Sequence, residues 1–320
     1  MSHKYNSQWT ELETALGSRP LLSGSIGDIN KQYSGLLSML SGMMPPPDSS
    51  VTTRDEKIDN DVTVRIYDPK EARTTGQKLP VCVYAHGGGY CCGNLDAEDP
   101  LCRALARFTP CIVVSVDYRL GPRYKMPTMI DDCVTAYKWA WQAAEKLGAD
   151  QHKYFSAGGS AGGGLAFSIA EKLIGNGKRD YIQGIVALVP VTLHYSNIPD
   201  EFKSMYTSYV ENEVGSPVID KQTMATFFDS ISPDITDPAQ FPALSKNIAQ
   251  YPPTYIATCE FDPLRDDGRV MEHLLEKAGV KVKSDYYEGY PHYFWIFPSI
   301  SDGQKFVQNT IEGVRFVLGL

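Results

Sequence analysis

A chain of 320 residues can bury the core of one large α/β domain, and 42% hydrophobic residues is a globular composition. Its formal net charge of −8 sets it against nucleic acid and anionic membrane surfaces, and it has no run of about 18 apolar residues to cross a bilayer. The polar N-terminus lacks the apolar stretch of a signal peptide, and the 7 cysteines are scattered without C-x-x-C spacing, so free thiols and a cytoplasmic location are expected.

Residues 1–49 carry Leu36, Leu37, Met39, Leu40, Met43 and Met44, end in Pro45-Pro46-Pro47, and precede the first strand pattern. Val62 to Tyr67 alternates and predicts an edge strand. Leu79 to Ala85 is a strand by its Val, Cys and Tyr content, and it runs into His86-Gly87-Gly88-Gly89-Tyr90. Cys111 to Tyr118 is nearly all apolar, as a parallel strand covered on both faces must be. Met129 to Leu147 has helical spacing. Lys153 to Ala157 predicts a strand, and Ala161 to about Ile174 a helix. Gly184 to Val191 and Pro253 to Phe261 read as buried strands, Val282 to Glu288 as another strand, and Asp302 to Leu318 as an amphipathic helix. Strands alternating with helices predict an α/β fold with a mostly parallel central sheet and helices on both faces. Residues 192–251 break the alternation with a connection far longer than usual. Together with residues 1–49 they are expected to cover the carboxyl edge of the strands. That leaves 50–191 and 252–320 as the core.

The chemistry is carried by Gly158-Gly159-Ser160-Ala161-Gly162. A serine between a strand and a helix, flanked by glycines, fits a nucleophile elbow, in which a tight, strained turn exposes the hydroxyl. A serine needs a base to take its proton and a third group to orient that base. Of the histidines after Ser160, His194 starts a polar stretch and His273 sits in a helical pattern. His292 follows a strand on a Gly-Pro loop. Asp262, at the carboxyl end of its strand and followed by Pro263, is the expected acid. Glu260 is a weaker rival, and Asp266 and Asp267 are expected to serve the start of the next helix. A tetrahedral oxyanion needs donors, and the glycines after His86 let backbone N–H groups approach closely. The N–H of Ala161 would join them. Cys91 and Cys92 follow this loop and are expected mainly to pack.

These motifs, with Val116-Asp117-Tyr118-Arg119-Leu120-Gly121-Pro122, Asp262-Pro263-Leu264-Arg265-Asp266 and Gly289 through Phe294, follow one another from about residue 60 to the C-terminus. In that order they resemble the hormone-sensitive-lipase-like branch of the α/β-hydrolases. The resemblance implies an α/β-hydrolase fold with a helical cap built from 1–49 and 192–251. It also implies that Gly88 and Gly89 supply oxyanion N–H groups within the His86-Gly87 loop motif. Two positions depart from the family's pattern. Gly159 stands where an acidic residue usually precedes the serine, and Gly121-Pro122-Arg123 stands for Ala-Pro-Glu. The glycine at the elbow and the stretch His292-Tyr293-Phe294-Trp295 are similar to fungal esterases of polyketide pathways, including versiconal hemiacetal acetate esterases.

The expectation is a serine carboxylic-ester hydrolase for small to medium acyl esters, acting through an acyl-enzyme and needing no metal or other cofactor. Its partner would be a small-molecule ester, with a homodimer left open. Tyr90, Met39, Met43, Tyr206, Tyr209 and Phe294 are expected at the substrate pocket. A biosynthetic lactonase, cyclase or condensation catalyst could use the same triad. A non-catalytic receptor would typically have lost the histidine, and His292 is present.

Overall fold

Among the described residues eight strands between 51 and 291 form one sheet, in the order β1-β2-β4-β3-β5-β6-β7-β8. They are β1 (Val51–Lys57), β2 (Thr63–Pro69), β3 (Leu79–Ala85), β4 (Ile112–Asp117), β5 (Ala149–Gly159), β6 (Gly184–Leu188), β7 (Thr254–Phe261) and β8 (Val282–Pro291). The computed structural model describes residues 4–59 and 61–320, so residues 1–3 of the N-terminal segment and Asn60 lie outside the described residues. β1 and β2 are antiparallel to each other, as are β2 and β4, and every other pairing is parallel.

The central strands are the apolar runs of the sequence. β3 and β6 are buried at every position, as strands with helices over both faces must be. The helices Thr128–Gln142 and Ala161–Gly175 pack against each other and against β3, and Asp99–Phe108 and Asp302–Leu318 form a second contacting pair. All 7 cysteines are free and buried.

Three strand expectations need correcting. Val62 to Tyr67 was expected at the sheet edge, but β2 lies one place in and β1 forms the edge. β1 escapes the hydrophobic pattern because its inner residues Thr52, Thr53, Arg54 and Asp55 are all exposed, and only its ladder with β2 makes it a strand. The strand expected to reach Val191 stops at Leu188, because Val189 turns to φ 42° and Pro190 has no N–H for a ladder. β8 continues through Gly289 to Pro291, so His292 follows the strand directly without an intervening loop. Gly289 takes φ 79° where the β7–β8 register shifts.

The two segments outside the alternation meet each other. Leu22 N–H donates to Val218 O (3.0 Å), Val218 N–H to Pro20 O (2.6 Å), and the Thr223 hydroxyl to Leu22 O (2.5 Å). The first segment contains the helices Ser7–Leu16 and Ile26–Met43, and the second contains Lys221–Ile231. The first is tied to the core where Asn6 N–H donates to Gly289 O (2.9 Å) and the fully buried Trp9 meets the Phe297 ring edge-on.

One close approach sets the geometry of everything above the sheet. A Cβ on Gly162 would stand 2.7 Å from both the Ala85 carbonyl carbon and the His86 oxygen. Its absence brings the helix Ala161–Gly175 down onto the end of β3, and backbone cannot retreat as a flexible side chain would. Gly162→Ala is expected to destabilise the protein by about 3 kcal/mol. Gly35→Ala, on an exposed helical surface with nothing within 4 Å of the added methyl, is expected to stabilise it by about 0.5–1 kcal/mol. Urea unfolding of the two variants beside the parent checks both signs.

Candidate active site

β5 ends at Gly159 and the next helix begins at Ala161, so Ser160 alone makes the turn. Its backbone (φ 55°, ψ −119°) lies outside the regions that L residues prefer. Hydrogen bonds on both sides hold it there. Ser160 N–H donates to Leu188 O (2.8 Å), and its carbonyl accepts from Gly164 (3.1 Å) and Val191 (3.2 Å). Ser160 lines a cavity of about 1330 Å³.

His292 and Asp262 arrive from β8 and β7. His292 Nδ1 lies 2.7 Å from Asp262 Oδ2, and Asp262 Oδ1 accepts Leu264 N–H at 2.8 Å. Both residues are buried, and His292 lines the same cavity as Ser160. A carboxylate on Nδ1 places the neutral ring's proton there and leaves the lone pair on Nε2. The rival groups serve elsewhere. Glu260 accepts the Gly289 N–H at 2.7 Å, His273 is exposed, and His194 bonds Ser196 and stacks on Tyr195.

Gly88 and Gly89, with φ of 117° and 59°, line the cavity beside Ser160, while Ala161 opens the helix. His86 is buried and stacks on Tyr118 at 4.3 Å, and burial pulls its imidazole down to about 4. It is therefore a neutral support with no acid–base part at ordinary pH. The Tyr118-Arg119 motif braces this loop. The Tyr118 hydroxyl donates to His86 O (2.8 Å), Gly121 N–H donates to Tyr90 O (2.9 Å), and Arg119 pairs with buried Asp132 (2.6 Å). Arg123, which replaces the family's glutamate, is exposed over the Tyr124 ring.

None of the six expected pocket residues is among those that line the cavity. Along the helix Ile26–Met43, Tyr33, Leu36, Leu37 and Leu40 share one stripe, and that stripe lines the cavity. Met39 and Met43 are outside the lining and are 38% and 54% exposed. Tyr206 donates to Asp267 (2.5 Å), and Tyr209 is buried beside it. Phe294 is enclosed by Tyr287, Tyr290 and Phe306, and the Tyr90 hydroxyl is directed at the helix Ala161–Gly175, beside Gly164. Phe227, Val218 and Ile219 are what the second segment contributes to the lining. Cys91 and Cys92 are buried outside it, with the Cys92 thiol on Asn30 Oδ1 (3.0 Å).

Asp266 and Asp267 do more than cap a helix. Asp267 Oδ1 accepts Thr192 N–H (2.8 Å) and Leu193 N–H (2.9 Å). Asp266 Oδ2 accepts the N–H groups of Thr207 and Ser208, both at 2.8 Å, while Arg265 binds its other oxygen and reaches Glu211. Residues 192–251 are thereby pinned to the helix that follows Asp262. Two adjacent acids at a helix start gave no signal of this, because the partners are backbone groups 58 to 75 residues away in sequence.

Comparison with known proteins agrees with the fold. Residues 82–296 match the sequence pattern of the α/β-hydrolase fold family, and the chain belongs to that family. It is 40% identical over 320 residues to a versiconal hemiacetal acetate esterase of Dothistroma septosporum, covering 99% of this chain and 96% of the relative. Among solved structures, a vibralactone cyclase superposes with a TM-score of 0.88 at 27% identity, covering 99% of this chain and 96% of that one. An esterase of the archaeon Pyrobaculum calidifontis gives 0.85 at 28% identity, covering 98% of each.

Burial pushes the Asp267 carboxyl up to about 7. A carboxyl raised on folding holds a proton that the unfolded chain has already released. Its contribution to stability is whole below the unfolded value near 4 and is lost as pH rises through about 7. Asn at this position keeps an oxygen for the two N–H groups, can donate to Tyr206, and does not titrate. The stability of the parent relative to Asp267→Asn is expected to fall from pH 4 to pH 7 by up to about 1.4 kcal/mol per pH unit. Parallel urea titrations across that range measure it.

Proposed function

We propose that Ser160 is the nucleophile, His292 the base and Asp262 the orienting acid of a carboxylesterase, with the N–H groups of Gly88, Gly89 and Ala161 receiving the oxyanion. The observation that carries this reading is the 2.7 Å Asp262–His292 pair on the same cavity as a serine held at φ 55°. In the first half-reaction Ser160 Oγ attacks the acyl carbon as His292 Nε2 takes its proton. The ester oxygen then leaves with that proton as the alcohol, and the acyl group stays on Oγ. In the second half-reaction water attacks the acyl carbon, gives a proton to Nε2, and Ser160 regains it as the acid departs. Asp262 keeps the imidazole in the required tautomer and stabilises it when charged. Each step closes without a metal or organic cofactor.

The family and its full-length esterase relatives make this chain a carboxylesterase-type hydrolase. Residues 1–49 and 192–251 are read as a two-part cap over residues 50–191 and 252–320, because both parts contribute to the cavity wall and bond each other. Tyr33, Leu36, Leu40 and Phe227 make that wall largely apolar, which suits an acyl or aryl ester of modest size as the small-molecule partner. No helix among the described residues is long and apolar enough to cross a membrane. A cytoplasmic location is supported by the free cysteines.

A second reading has one observation in its favour, the 0.88 superposition on a cyclase over 99% of this chain. If the cavity excluded water from the acyl-enzyme, a hydroxyl of the substrate would attack instead and close a lactone.

Ser160→Ala is expected to lower turnover of p-nitrophenyl butyrate by at least about 10⁴-fold, and Asp262→Asn by about 10³- to 10⁴-fold, with the fold intact by circular dichroism. A serine-directed phosphonate should label Ser160. Near-normal turnover by the alanine variant would sink the assignment. Across an acyl series, kcat/KM is expected to rise from acetyl to hexanoyl by up to about fourfold per methylene, the equivalent of about 0.8 kcal/mol of apolar contact each. Labelling of Ser160 without turnover of any simple ester would favour the cyclase reading.

A further inference from the structure

The position before the nucleophile is empty of side chain, and something else fills it. A Cβ on Gly159 would run into the Tyr293 hydroxyl and stand 2.8 Å from the ring carbon that bears it. A Cβ on Gly87 would meet the same hydroxyl and stand 3.1 Å from Glu98 Oε1. The Tyr293 phenol is thus wedged between the elbow and the oxyanion loop. It follows His292 directly, with a left-handed backbone at φ 57° and its ring centre 5.0 Å from that of the imidazole.

Glu98 gathers these pieces. Its Oε1 accepts Gly87 N–H at 2.7 Å and the Tyr293 hydroxyl at 2.9 Å, and its Oε2 takes the Tyr84 hydroxyl from β3. The residue is 8% exposed and its backbone is the N-cap of the helix Asp99–Phe108. Gly87 immediately precedes the two glycines read as oxyanion donors, and Tyr293 immediately follows the base. A buried acceptor holding one atom from each therefore fixes the distance between them. Gly159 itself carries no side chain, and Glu98 supplies a buried carboxylate to its neighbourhood from another element.

We propose that Glu98 is a positioning residue for the reaction, which sets the Gly88–Gly89 amides and His292 about Ser160 through the Gly87 N–H and the Tyr293 hydroxyl. The inference rests on the triad reading above.

The test measures kcat and KM for p-nitrophenyl butyrate, and the rate of phosphonate labelling, in Glu98→Gln, Tyr293→Phe and the double variant. Glu98→Gln is expected to lose about 10- to 100-fold in kcat, with KM within about threefold, because a donor displaced by a fraction of an ångström acts on the transition state more than on bound ester. Tyr293→Phe removes one oxygen atom and should lose about tenfold, with labelling slowed in step in both variants. The double variant should be no worse than Glu98→Gln, since both act through one linkage. A folded Glu98→Gln with kcat within twofold of the parent would overturn the proposal, as would a loss confined to KM or single losses that multiply in the double variant. Should Glu98→Gln not fold, Tyr293→Phe decides on the same criteria. Retained activity in Ser160→Ala would mark failure of the triad reading instead. Loss in Ser160→Ala beside unchanged Glu98→Gln would mark failure of this inference alone.

Discussion

Everything above the sheet depends on how closely the helix Ala161–Gly175 approaches the end of β3. With no side chain at Gly158 or Gly162, the elbow backbone sits against the Ala85 carbonyl, and the His86–Gly89 loop emerges beside Ser160. Backbone-to-backbone contact is the stiffest packing a protein has, because neither side can change rotamer. That stiffness suits a site whose strained serine at φ 55° must be held by its surroundings. The hydrogen bonds from Ser160 N–H to Leu188 and from Val191 N–H to Ser160 extend the same rigidity to the end of β6 and the turn after it.

A second principle organises the periphery. Buried carboxylates act as struts between segments distant in sequence. Asp267 and Asp266 hold the start and middle of residues 192–251, Glu171 holds its end through Ser245, Asn247 and Tyr251, and Glu260 holds the bend before His292. Each receives N–H or O–H donors in place of water, which is the condition on which a buried acid is tolerated. A polar strut specifies a position more narrowly than apolar contact does, because its donors must arrive in particular directions.

The sequence made the frame legible where local chemistry was sufficient. Ser160, Asp262 and His292 each sit at the carboxyl end of a strand, and glycine, proline and apolar runs marked those ends. It was silent where the partner was remote or the pattern polar. β1 is a strand only because β2 pairs with it. Met39 and Met43 had the right composition for a pocket, but both stand exposed outside the lining, which Tyr33, Leu36, Leu37 and Leu40 supply from the same helix. Glu98 gave no signal at all. An acid nine residues beyond a glycine loop reads as a surface residue until its three donors are seen.

The cysteines have a consequence of their own. All 7 are buried and unpaired, and burial pushes their thiols up, to about 12 for Cys91, Cys92 and Cys111 and well above the ordinary value for Cys82, Cys102, Cys133 and Cys259. Thiolate is the reactive form toward alkylating reagents and oxidants, and here it is both scarce and enclosed. The native enzyme therefore carries seven silent reporters, spread from the loop beside the active site to the centre of the sheet. The order in which they become alkylated would trace which parts of the molecule open first, since each thiol is released only when the packing over it parts.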